Sequence, residues 1–312
     1  SDYATAHHLL EKSLAISQSL GDRKSMAHAL CSLSNVHATQ GQLATASELG
    51  KQSVAISQAL GDRLGAAVSM GRMAGTLAYQ GHFAESAALF EQSSAIYHEL
   101  GVRQAYALET HLLAWINVNL GEYELARQQY QLAHLIWQEG NHLHGLALSA
   151  LGEIELVLEN FEAARTLFSE SAALFANVQQ RDEEAIALAD LGAALRGLGE
   201  RDEARQAIYQ SLQITQAIGS FAAVLFAIEA YALLLADEGE TARALELYTL
   251  IAQHPYVKES RLHQDQFDRY IRPHLDKLSA AEQAAAIRRG EQGNNLAEVG
   301  TILGEIEHCE PV

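Results

Sequence analysis

"AISQSLGDR" runs from Ala15 to Arg23, and "AISQALGDR" from Ala55 to Arg63. The two stretches match at eight of nine positions and stand forty residues apart. Self-similarity at a fixed period marks stacked supersecondary units, so this spacing decides the fold before any single residue does. Two series of punctuation carry it along the chain. One is Gly41, Gly81, Gly121, Glu159, Gly199 and Gly239; the other is Gly21, Gly61, Gly101, Gly140, Gln179 and Gly219.

A glycine just past a helical stretch is the favoured left-handed terminator, because without Cβ it meets no clash at positive φ. Asp22, Asp62 and Ser220 follow such glycines and are predicted N-caps. Between the marks the apolar spacing is helical: Met26, Leu30, Leu33 and Val36 recur at three- and four-residue steps. The unit is therefore a helix–turn–helix. In the fourth unit Glu159 and Asn160 stand where its neighbours have glycine, and Asn is expected to take the left-handed turn there.

Small residues occupy matched columns. Ala46, Ser86, Ala126, Ala164, Ala204 and Ala244 form one; Ser34, Ala74, Ala114, Gly152, Gly192 and Ala232 form another. Small side chains at both places let the two helices of a unit approach closely. Tyr97, Trp137 and Phe175 share that stripe and are read as packing.

These columns carry a family resemblance. "GAALRGLGERDEA" (Gly192–Ala204) resembles the tetratricopeptide repeat, and the forty-residue form with its "LGD" turn resembles the repeats of MalT-like bacterial signalling proteins and animal spindle-orientation adaptors. The resemblance implies an all-α fold, a right-handed superhelical solenoid. Its expected layout is residues 1–20 as the second helix of a partial repeat, 21–252 as the array, and 253–312 as capping helices and tail. The opening "SDYATAHH", without Met and starting on a half unit, suggests a piece of a longer parent. Residues 257–277 read as one helix bent or ended near Pro273; Ser279 with Glu282, and Asn295 with Glu298, predict capped helices after it. The tail "LSAAEQAAAIRRGEQGNNLAEVGTIL" resembles the ends of C-terminal sensor regions in bacterial STAND-type signalling ATPases.

Composition narrows the function. A formal charge of −18 argues against a nucleic-acid surface, which needs clustered Lys and Arg. Two cysteines, Cys31 and Cys309, make no disulfide framework, and no apolar run is long enough for a membrane span; a cytoplasmic setting is expected. The sequence contains no phosphate-binding, nucleophile-elbow or zinc-protease motif. His7–His8 and His142-x-His144 have no second ligand pair at metal-site spacing. No catalytic residue, metal or cofactor is expected.

In tetratricopeptide arrays the first helix of each unit lines a concave groove where ligands dock. The resemblance places Asn35, Arg72, Tyr79, His111, Trp115, Asn119, Glu153, Asp190, Arg196 and Glu229 on that wall. His111, Trp115 and Asn119, four apart, would share one helix face. Asn35 and Arg72 are the only near matches to a carboxylate clamp of Lys and Asn, which disfavours a chaperone-tail ligand. The expected occupant is a protein, a peptide or a small inducer, whose binding would release a nucleotide-binding module in a STAND-like parent. The alternatives are a free-standing adaptor that scaffolds two proteins, and a peptide receptor.

Overall fold

The computed structural model describes residues 3–137 and 143–308, and every regular element among them is helical. Gly140, His142 and Cys309 lie outside the described residues. The chain forms two compact units, residues 1–136 and 137–312.

In the first unit α1 (Tyr3–Leu20) packs on α2 (Arg23–Thr39), and antiparallel pairs follow. These are α2 with α3 (Leu43–Ala59), α4 (Arg63–Tyr79) with α5 (Phe83–Glu99), and α6 (Arg103–Leu120) with α7 (Tyr123–Trp137). The second unit repeats the scheme. Its pairs are α8 (His144–Val157) with α9 (Phe161–Asn177), α10 (Arg181–Leu198) with α11 (Arg201–Ile218), and α12 (Phe221–Glu238) with α13 (Thr241–Ala252).

The predicted punctuation is physical. The Asp22, Asp62 and Ser220 side chains accept from the backbone N–H of Ser25, Gly65 and Ala223, filling orphan donors at three helix starts. Glycines at the turns take φ between 65° and 90°. In the fourth pair the expectation for Asn160 fails. Glu159 takes the left-handed turn at φ 61°, while Asn160 stays at −81° and its amide donates to Glu155 at 2.7 Å. Gln179 also replaces glycine, at φ 58°. A side chain there costs about 1 kcal/mol relative to glycine.

Both small-residue columns are buried. Ser34 and Ser86 donate across their pairs to the Ala46 and Ala74 carbonyls at 2.7 and 2.8 Å. A Cβ on Gly192 would stand 2.5 Å from Ile208 Cγ1, and one on Gly152 would stand 2.9 Å from the Phe168 ring. Nothing larger fits without moving the partner helix. Tyr97, Trp137 and Phe175 are all buried, as packing requires.

The C-terminal region is more broken than its sequence suggests. Instead of one helix, residues 255–277 form α14 (Pro255–Glu259), α15 (Arg261–Gln266), a π turn (Phe267–Ile271) and a 3₁₀ turn (Arg272–Lys277). The Ser279–Glu282 capping box opens α16 (Ala280–Gln292), which packs on α13 through Gly290, where a Cβ would stand 2.4 Å from the Glu246 carbonyl oxygen. The last helix, α17 (Asn295–His308), starts one residue earlier than expected in its capping: Asn294, not Asn295, accepts from Ala297 N–H. Glu298 pairs instead with Arg243, which also holds Glu305, so α17 is tied to the last repeat.

Candidate partner-binding site

In the first unit the expected recognition face separates into exposed and structural parts. Asn35 on α2 and Arg72 on α4 are exposed. Tyr79 and Trp115 are half-buried and meet ring to ring, 6.0 Å between centroids. His111 turns inward against Tyr130 at 5.1 Å, and burial pushes its pKa down to about 4. Asn119 is fully buried, its amide donating to the Trp115 carbonyl one turn back at 2.8 Å. His111, Trp115 and Asn119 therefore do not present one exposed face: the helix register that aligns them also turns its ends into the core.

The same unit holds a carboxyl that sequence reasoning missed. Glu109 on α6 is 7% exposed and accepts from Ser93 Oγ. Gly71 on α4 makes room for it: a Cβ there would lie 2.4 Å from Glu109 Oε1. Burial raises the Glu109 pKa to about 7, against the lowering effects of the Ser93 hydrogen bond and the Arg72 charge. Arg72 thus acts partly as a counter-charge for the interior. A separate recess of about 350 Å³ between α3, α4 and α5 contains none of the candidate residues.

In the second unit the geometry converges. Glu153 on α8, Asp190 on α10 and Glu229 on α12 line one narrow cleft, with Leu156, Ala193 and Phe226 as its apolar wall. Asp190 has no hydrogen bond or ion pair with any described residue. Burial, then the Glu153 and Glu229 charges, hold its pKa well above the usual carboxylate range. Ionising Asp190 beside two further carboxyls is costly, and an incoming cation relieves that cost.

Part of this wall is already occupied. Segment 261–270 lies across the first helices of the second unit, and Leu262 and Gln266 close one side of the cleft. His263, fully buried, donates from Nδ1 to both Glu229 carboxylate oxygens at 2.7 and 2.8 Å. Its Nε2 has no partner among the described residues. Tyr270 lies under the Arg196 guanidinium at 4.0 Å, and Arg196 also pairs with Asp237 at 2.9 Å. Arg269 and the Tyr270 hydroxyl both donate to Glu159, at 2.9 and 3.2 Å. Arg196 and Glu229, expected to face an open groove, are instead covered by the chain's own C-terminal segment. The pairs lie 34 to 111 residues apart in sequence, beyond any periodic signal.

Among the described residues no group of three His, Cys, Asp or Glu side chains is placed to hold a metal ion, and no helix is long and apolar enough to cross a membrane. His7 meets His37 edge to face at 5.0 Å and lies beside Glu11.

Residues 25–99 and 143–217 match the tetratricopeptide repeat family model. No curated protein sequence matches the chain. Solved structures with a similar fold include BtubC from P. vanneervenii, 16% identical over 71% of this chain and 94% of its own, at a TM-score of 0.56. The apo form of RapI is 16% identical over 87% of this chain and 99% of its own, at 0.60. A Rap protein complexed with competence and sporulation factor is 13% identical over 98% of each chain, at 0.56. At these identities the likeness is one of fold. The matched segments fall one in each unit, and α8 and α10 of the acidic cleft lie within the second.

Proposed function

We propose that this chain is a protein-interaction module whose second unit binds a segment of a partner through a cationic side chain seated among Glu153, Asp190 and Glu229. The observation that carries the reading is Asp190: a part-buried carboxyl that makes no hydrogen bond with a described residue and shares its cleft with Glu153 and Glu229. A guanidinium or ammonium group supplies donors and a positive charge to the Asp190 carboxyl. The apolar wall suits the alkyl stem of the same side chain. The Rap structure, complexed with a factor on a similar fold, supports a recognition role.

The test is a pair of labelled peptide sets, identical except that citrulline replaces arginine in the second, titrated by fluorescence anisotropy. The arginine set binds the chain and loses affinity with Asp190→Asn or Glu153→Gln; citrulline peptides binding equally well would contradict the reading. Binding here serves a sensor that switches a neighbouring nucleotide-binding module, the role favoured by the tail resemblance. A P-loop encoded upstream in the same reading frame supports that finer role. Its absence leaves the adaptor, which fits the repeats equally.

A further inference from the structure

The segment that crosses the second unit's wall has the chemistry expected of a ligand. Its imidazole donates to Glu229, its guanidinium to Glu159, its phenol ring stacks under Arg196, and Leu262 fills the apolar side. Its backbone is not a continuous α-helix: α15 passes into the π turn that carries Arg269 and Tyr270. The acceptor for these two residues is a local exception in the wall itself. Glu159 holds a left-handed turn where the turns after α2, α4, α6, α10 and α12 all have glycine, and its carboxylate receives both donors. Gln179, the other non-glycine turn, makes no such side-chain hydrogen bond with a described residue.

We propose that segment 261–270 is a built-in occupant of the second unit's wall, and that the partner is a basic–aromatic segment of another protein that displaces it. This rests on the proposed function above, because the displaced surface is the acidic cleft and its rim. The seated occupant donates to Glu229 and Glu159 and lays Tyr270 against Arg196, whereas it gives Asp190 no hydrogen bond. A partner that also reaches Asp190 makes an interaction that the resident segment does not make. That difference gives it the differential affinity needed to shift the equilibrium.

The experiment has two arms, and the first needs no ligand. Hydrogen exchange is followed in the wild type and in Glu159→Gly, which keeps the left-handed turn and removes the anchor. The expected result is exchange in 261–271 about tenfold faster, the scale of one exposed ion pair plus one further contact, with α8 to α13 unchanged. Unchanged exchange in 261–271, or loosening of α12 and α13 together with it, overturns the proposal, because the segment is then an integral part of the fold. In the second arm a labelled peptide of residues 261–272, "RLHQDQFDRYIR", is titrated into Arg269→Ala/Tyr270→Ala, whose wall is intact. Binding about tenfold tighter than to the wild type is expected; equal affinity overturns displacement. Failure of the citrulline comparison alone, with the first arm positive, removes the cationic ligand and leaves the movable segment.

Discussion

Replacing Glu109 by Gln tests whether the first unit holds a carboxyl that prefers its protonated form. Its pKa is raised from 4.5 to about 7, chiefly by burial. The folded value lies above the unfolded one, so the folded state binds the extra proton. Stability is full below 4.5 and is lost as pH rises through about 7. The complete loss corresponds to about 3 kcal/mol at 1.36 kcal/mol per unit. The chain's pI of 5.1 makes the lower part of the window poor for solubility. Between pH 6 and pH 8 the same two pKa values leave about 1.3 kcal/mol still to be lost. Glu109→Gln removes this dependence while keeping an oxygen for Ser93. Any fixed cost of the new amide cancels when the two pH values are compared. The assay is urea unfolding at pH 6 and pH 8, with amide exchange in α6 as a local check. The stability of the variant relative to wild type should rise by about 1.3 kcal/mol over that interval. Parallel pH profiles would show that Glu109 does not titrate in this window, and would refute the burial argument.

Other substitutions probe packing and the cleft separately. Gly192→Ala forces a methyl against Ile208 and is expected to lower stability by about 1–3 kcal/mol in urea unfolding, with no local relief. Asn119→Ala should cost about 1 kcal/mol of stability and leave peptide affinity unchanged, since its amide serves the α6 backbone; a selective loss of affinity would return it to the binding face. For Asp190 the raised pKa makes cation binding release a proton. Affinity for the arginine peptides should therefore increase as pH rises towards that pKa, by at most about tenfold per unit. Asp190→Asn should flatten this profile in an anisotropy titration.

Much of the repeat architecture was legible because each of its rules recurs. Glycine at the turns, Ala or Ser where helices cross, and Asp or Ser at helix starts are local choices that the period displays several times over. Glu159 broke the rule, and sequence reasoning gave the turn to Asn160 because it weighed only local backbone cost. The residues of the proposed wall could be named from the sequence, but not their burial or their grouping into one cleft. Glu153, Asp190 and Glu229 sit at different heights on three successive first helices, so no column aligns them. His263, Arg269 and Tyr270 lie in the region where periodicity had faded, and their partners are set by how the segment folds back. Glu109 did leave a trace. It shares a column with Ala29 and Ser69, and a charged residue in an otherwise small inward column signals a buried carboxyl.

The central claim, that a partner segment seats on the second unit's first-helix wall, is tested most directly by a hydrogen-exchange footprint with a bound arginine–aromatic peptide. The account predicts added protection on the faces of α8, α10 and α12 that bear Glu153, Asp190 and Glu229, together with faster exchange in 261–271. Protection confined to α9, α11 and α13, or to the first unit, would contradict it.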